Sequence, residues 1–140
     1  MFYFLTQSEL MRSILTPFDL LCALIASCVH DYDHPGRNNA FLINTGDPLA
    51  LQYNDTSVLE NYHVASCFKL LQHTDNDFLL AFNKQERNEL RNMIIPMVLH
   101  TDMGKHMIMV ANFEELVHDK RAENKWFTNS KEDKLTLLNV

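Results

Sequence analysis

The chain reads as all-α, and three observations carry that prediction. Its 140 residues include only three glycines and four prolines against 46% hydrophobic content, few breakers for a globular chain. Helix-start signals stand directly ahead of apolar runs at Thr16-Pro17-Phe18-Asp19 and at Ser57-Val58-Leu59-Glu60. No alternating apolar and polar stretch is long enough to build a sheet. One core is expected, with no internal repeat and no low-complexity tract.

At Thr16 a hydroxyl N-cap precedes a proline in the first helical position and an acid in the first turn, where the helix dipole favours it. Leu20, Leu21, Ala23, Leu24, Ile25, Ala26, Cys28 and Val29 follow with almost no polar break, which predicts a helix buried all round and ended by Pro35-Gly36. Two short helical segments, "NNAFLIN" and "PLALQY", flank a turn at Thr45-Gly46-Asp47. Ser57-x-x-Glu60 has the spacing of a capping box and opens a helix that runs to about Gln72. "HTDND", His73 to Asp77, is a polar loop. A long helical stretch is expected from about Lys84 to His118, kinked or broken at Pro96. Asp119 to Ser130 lacks helical period and reads as a surface loop, and "KEDKLTLLNV" as a last short helix. The methionines Met93, Met97, Met103, Met107 and Met109 are expected to fill core.

A formal charge of −6 repels polyphosphate backbones and anionic lipid, which argues against a nucleic-acid or membrane partner. The opening "MFYFL" is too short for a signal peptide, and no apolar run reaches transmembrane length. Cys22, Cys28 and Cys67 are odd in number, sit among apolar residues and lack CxxC spacing, which predicts buried reduced thiols in the cytoplasm.

The densest chemistry lies in "HDYDHPGRNNAF", His30 to Phe41. His30 and His34 are four apart and share a face if the helix persists to Pro35, while Asp31 projects roughly 100° further round. Imidazole nitrogen and carboxylate oxygen are ordinary zinc ligands, and a carboxylate has a second oxygen with which to reach a harder cation. The same residues also make an ordinary hydrogen-bonded helix end, so spacing alone leaves both readings open. Glu60 and His63 form an E-x-x-H pair on one face of the next long helix, although Glu60 can also serve as the third residue of the Ser57 capping box. His73, His106 and His118 carry no functional expectation.

"HDYDHPGRNNAF" resembles, position for position, the metal-binding signature of the class I 3′,5′-cyclic-nucleotide phosphodiesterases. The likeness continues through "FLINTGDPLALQYNDTSVLEN" and "LHTDMGKH" and covers essentially the whole chain. It implies a compact, multi-helical catalytic domain of HD type that hydrolyses cyclic AMP or cyclic GMP to the 5′-monophosphate in signal transduction. It also implies a two-metal site of zinc with magnesium or manganese. By the same resemblance His30 is a zinc ligand and Asp31 the carboxylate touching both metals. His34 and Glu60 stand behind them, the acid holding the imidazole and the metal-bound waters. Thr101 and Asp102 face the second metal's water shell, with Met103 lining the adjacent pocket. Asn39 falls at the signature's asparagine, where bracing the loop is as good a role as touching substrate.

The family's general acid and another zinc-ligating histidine belong to a Y-H-N-x-x-H-A-x-D-V segment ahead of the matching region. A further aspartate ligand and a purine-gripping glutamine belong beyond it. The resemblance therefore places residues 1–140 in the middle of a catalytic domain whose N-terminal and C-terminal parts lie outside the chain. Cyclic AMP is preferred over cyclic GMP on the middle region alone. The alternative is a truncated, non-catalytic helical module that binds partners or holds metal weakly. The chain departs from the family at Tyr62, commonly His, at His100, commonly small, and at Pro96.

Overall fold

A computed structural model describes residues 9–122 and 130–139 of the chain. The described residues are helical, with no strand among them. The helices are α1 (Glu9–Ile14), α2 (Pro17–Val29), α3 (Asn39–Thr45), α4 (Pro48–Gln52), α5 (Val58–Leu70), α6 (Lys84–Leu99), α7 (His106–Ala122) and α8 (Lys131–Asn139). Short 3₁₀ turns lie at Thr74–Asn76 and Met103–Lys105.

The core is the packing of α2 on α6, closed on one side by α5. Leu90, Ile94, Met97 and Val98 recur at helical spacing along α6 and are buried against Cys22, Ala23, Ile25 and Ala26 of α2 and Val64 of α5. A smaller cluster of Leu42, Ala50, Val58 and Leu59 ties α3 and α4 to the first turn of α5. Gly46, at φ 64°, ends α3 in the left-handed conformation that its turn predicted.

Local caps explain most boundaries. Thr16 and Asp19 form a reciprocal capping box at α2, and Asn83 and Glu86 do the same at α6. Arg87 then secures the loop before α6, donating to Asp77 Oδ2 at 2.8 Å, to the Leu79 carbonyl at 2.8 Å and to the Phe82 carbonyl at 3.1 Å.

Several expectations are corrected. Helix α2 ends at Val29, well short of Pro35. The chain leaves helical geometry before it reaches the proline, and Asp33, at φ 59°, is in the left-handed region that no α-helix runs through. Nor is α2 enclosed all round, since Leu24 is 50% exposed and Cys28 is exposed rather than buried. Pro96 does not break α6, which continues to Leu99. A mid-helix proline costs about 3 kcal/mol, whereas burying Met93, Ile94, Met97 and Val98 contributes roughly 1.5–3 kcal/mol apiece. The long helical stretch is interrupted instead at Asp102, whose side chain accepts from the Gly104 N–H and opens the 3₁₀ turn. Of the methionines, Met93 and Met97 are buried, but Met103 and Met107 are each 76% exposed. Helix α7 runs on to Ala122, into the stretch expected to be loop; the rest of that stretch, 123–129, and the opening "MFYFL" lie outside the described residues.

Helix α8 is tied back by charge. Lys134 Nζ stands 2.7 Å from Asp19 Oδ2, and Lys120 Nζ 2.7 Å from Asp133 Oδ1. Burial acts most strongly on Asp19 and would raise its pKa, but the Lys134 ammonium and the Thr16 N–H and hydroxyl together outweigh it and hold the carboxyl below its ordinary 3.8. A lowered carboxyl pKa contributes stability that is present above the unfolded value and lost as pH falls through the folded one. Replacing Lys134 with Met leaves the buried Asp19 with its Thr16 hydrogen bonds but no opposite charge, a loss of about 3 kcal/mol at pH 7. Thermal unfolding of both proteins should show that gap at neutral pH and its closure as the pH falls below 3.8.

Candidate functional site

The C-terminal ends of α2 and α6 meet at a cavity of about 280 Å³. Ala23, Ala26, Ser27 and His30 form its α2 wall, Met97 and Thr101 its α6 wall, and Leu138 of α8 completes it. His30 and Thr101 thus reach one space from positions far apart in sequence. Thr101 donates its hydroxyl to the Val98 carbonyl at 2.7 Å, which leaves its oxygen lone pairs available as acceptors.

His30 is set up to offer a lone pair. Its Nδ1 lies 2.9 Å from the Ser27 carbonyl, an acceptor only, so Nδ1 carries the proton and Nε2 is the free nitrogen of the neutral ring. This is the backbone contact that commonly fixes the tautomer of a metal-bound histidine. Nε2 stands 3.2 Å from Asp31 Oδ2. Zinc–ligand bonds of ~2.0–2.1 Å at tetrahedral angles put neighbouring donor atoms ~3.3 Å apart. The pair therefore fits two ligands of one cation. Among the described residues no third His, Cys, Asp or Glu joins them to complete a metal group.

The loop after His30 is fastened to α5. His63, 1% exposed, donates Nδ1–H to the Tyr32 carbonyl at 2.6 Å, and its ring stacks on His34 with centroids 5.5 Å apart. Tyr62 donates its hydroxyl to Asp33, a bond that is also the main reason its phenol pKa is raised. His34 accepts the Gly36 N–H on Nδ1 at 3.0 Å. The loop itself is exposed, so Asp31 and His34 face solvent rather than the mouth of a buried helix.

Glu60 makes its hydrogen bond to Asn39, whereas the resemblance assigns it to His34. The Asn39 amide donates from Nδ2 to Glu60 Oε2 at 3.0 Å and accepts the Leu59 N–H on Oδ1 at 2.9 Å. Asn39 therefore caps α5 in place of Ser57. The expected Ser57 capping box is absent because Ser57 sits at φ 42°, whereas an N-cap needs extended backbone. Its hydroxyl goes instead to Asp102 Oδ2, 2.8 Å away. Met103, beside Asp102, is exposed.

Of the residues that the sequence singles out, His30 and Thr101 share the cavity, Glu60 is joined to Asn39 and Asp102 to Ser57; the contacts of Ser57 and His63 are not among those expectations. The three-residue spacing of Glu60 and His63 was the available signal for the latter, since it set both side chains on one helix face. No local signal joins Ser57 to a partner 45 residues away.

An Asn39→Asp substitution keeps the shape of the amide but turns a donor into a charge opposite Glu60. It should cost about 2 kcal/mol, the loss expected when a bond to a charged group is removed. Asn39→Ala adds no repulsion but also removes the acceptor of the Leu59 N–H, a cap worth about 0.5–2 kcal/mol, and should destabilise by a similar amount. Urea unfolding of the three proteins at pH 7 measures both losses.

A family model described as 3′5′-cyclic nucleotide phosphodiesterase matches residues 1–140. The chain is 45% identical over 117 residues to the Drosophila melanogaster 3′,5′-cyclic-AMP phosphodiesterase, isoform F, covering 84% of this chain and 18% of that protein. Another D. melanogaster form, 3′,5′-cyclic-AMP phosphodiesterase, is matched at the same identity over 11% of its length. The chain thus spans less than a fifth of the curated relatives it matches. Among solved structures it resembles the phosphodiesterase domain of Salpingoeca rosetta rhodopsin phosphodiesterase, with a TM-score of 0.85 and 34% identity, covering 98% of this chain and 41% of that one. On the match across its whole length and an all-helical fold shared with that domain, the chain belongs to the 3′,5′-cyclic-nucleotide phosphodiesterase family.

Proposed function

We propose that these residues form the middle of a catalytic domain that opens the 3′,5′-cyclic phosphate of a nucleotide to the 5′-monophosphate, with cyclic AMP preferred over cyclic GMP. The observation that carries the reading is His30, its tautomer fixed by the Ser27 carbonyl and its free nitrogen 3.2 Å from Asp31 Oδ2, at a cavity shared with Thr101. Cyclic AMP is favoured because the relatives matched at 45% identity are named for it.

His30 and Asp31 would hold zinc, with Asp31 shared by a magnesium or manganese ion. When bound, such a pair supplies positive charge for the phosphate oxygens and lowers the pKa of the attacking water. The rest falls to side chains of this chain. Asn39 holds one oxygen of Glu60 and leaves the other to accept from water. His34 keeps Nε2 as its donor in the neutral ring, because Nδ1 already accepts from Gly36. Thr101 and Asp102 present oxygen acceptors to the water shell of the second cation, and exposed Met103 offers an apolar flank to the base. The three free cysteines fit a reducing, cytoplasmic setting.

The second reading is a helical module without turnover. The observation favouring it is that the described residues assemble two metal donors and not three, whereas working zinc sites use three or four protein ligands.

In the complete catalytic domain, Asp31→Asn should reduce cyclic AMP hydrolysis at least 100-fold with unfolding unchanged, since Asp31 is exposed and the lost charge is the one shared by two cations. Near-normal turnover at unchanged metal content would remove the two-metal reading. The 140-residue chain by itself should take up zinc weakly and turn over negligibly, as two protein ligands leave half of a tetrahedral ion to water. Calorimetric zinc titration beside a cyclic AMP assay with zinc and magnesium checks this. Tight stoichiometric binding or chelator-sensitive turnover would show that the ligands are assigned wrongly.

A further inference from the structure

The geometry points to Ser57 as a positioning residue for Asp102, one that locks the Asp102 carboxylate to the helix bearing Glu60; the link to catalysis rests on the phosphodiesterase reading above. Ser57 is 5% exposed and held at φ 42°, a conformation that costs a non-glycine residue energy and leaves its hydroxyl off the helix cap. That hydroxyl sits between two groups of opposite charge. Lys105 Nζ lies 2.6 Å from Ser57 Oγ, and Ser57 Oγ lies 2.8 Å from Asp102 Oδ2. An ammonium donates only, so Ser57 accepts from Lys105 and its own proton has one direction left, toward the carboxylate. Charge at both ends strengthens each bond.

The second carboxylate oxygen is held as well, since Asp102 Oδ1 accepts the Gly104 N–H at 2.9 Å. With one oxygen fixed by the 3₁₀ turn and the other by α5, the carboxylate plane is determined. The two elements come from positions 45 residues apart along the chain. Glu60 lies one turn beyond Ser57 on α5 and is itself fixed by Asn39. The two acids thus share one helix end as a common frame, and a loose Asp102 would present its oxygens to the cation's water shell in several orientations.

Ser57→Gly tests this cleanly, because glycine accepts positive φ and removes only the hydroxymethyl group. In the 140-residue chain the Gly104 amide resonance reports the carboxylate. It should move in Ser57→Gly and in Asp102→Asn, and the double variant should match Asp102→Asn alone. In the native gene product Ser57→Gly should lower kcat for cyclic AMP about 10-fold, the loss expected for a bond to a charged group. KM should stay within about twofold and the melting temperature should not fall, because the change subtracts positioning and relieves backbone strain. In an Asp102→Asn background the same change should cost nothing further. An unmoved Gly104 amide, an unchanged kcat in an active enzyme, or additive losses in the double variant would each overturn the proposal. Absence of hydrolysis by the wild-type protein would overturn the phosphodiesterase reading instead, and the Gly104 measurement would still decide whether Ser57 holds Asp102.

Discussion

The packing of α2 against α6 is the constraint on which the rest depends. Both helices direct their C-terminal ends at the same cavity, which is why His30, one residue past α2, and Thr101, two past α6, line one space. Helix C-termini carry partial negative charge from unpaired carbonyls, worth about 0.3–1 kcal/mol each toward a nearby cation. Two of them beside His30, in a chain of charge −6, give this cavity a negative field that favours positive charge over an anion.

Helix α5 supplies the second half of the arrangement. It fastens the His30–His34 loop through Tyr62 and His63 and carries Glu60 at its first turn. Tyr62 works as a tether to Asp33. His63 is the more deeply committed of the two. Its buried ring spends its N–H on the Tyr32 carbonyl and stacks on His34.

How much of this was legible in the sequence follows from how local each cause is. The caps at Thr16 and the helical periods of α2, α5 and α6 are set within a few residues, and they appear in the structure near their expected places. Pro35 marks where α2 must have stopped, yet the helix ends already at Val29, ahead of the left-handed Asp33, which no local breaker residue announces. Pro96 predicts a kink or a break, and the helix nevertheless continues through it to Leu99 on core packing, a tertiary effect that no window on the sequence contains. Ser57 shows the same limit at the site. Its S-x-x-E spacing is that of a capping box, but the positive φ values at Asn54, Asp55 and Ser57 turn the chain so that the cap comes from Asn39 and the hydroxyl is released to a distant partner. Metal-type residues were legible by identity; their partners were not, since those depend on which helix ends the fold brings together.

Stability is distributed unevenly around the site, and the distribution explains why so small a contact as the Ser57 hydroxyl matters. Helix α6 is anchored by five buried residues, whereas no residue of α7 is buried and Met103, Met107 and Ile108 stand exposed. Elements with few buried contacts open first. Thr101 and Asp102 lie at the junction between the two regimes. Thr101 is held to α6 by its own hydroxyl. Asp102, one residue further, has left the helix, and the segment after it offers no core to lean on. Asp102 Oδ1 is held locally by the Gly104 N–H, but what ties the carboxylate to the core comes from elsewhere in the fold, and the Ser57 hydroxyl, buried and polarised by Lys105, is the group that α5 extends to it.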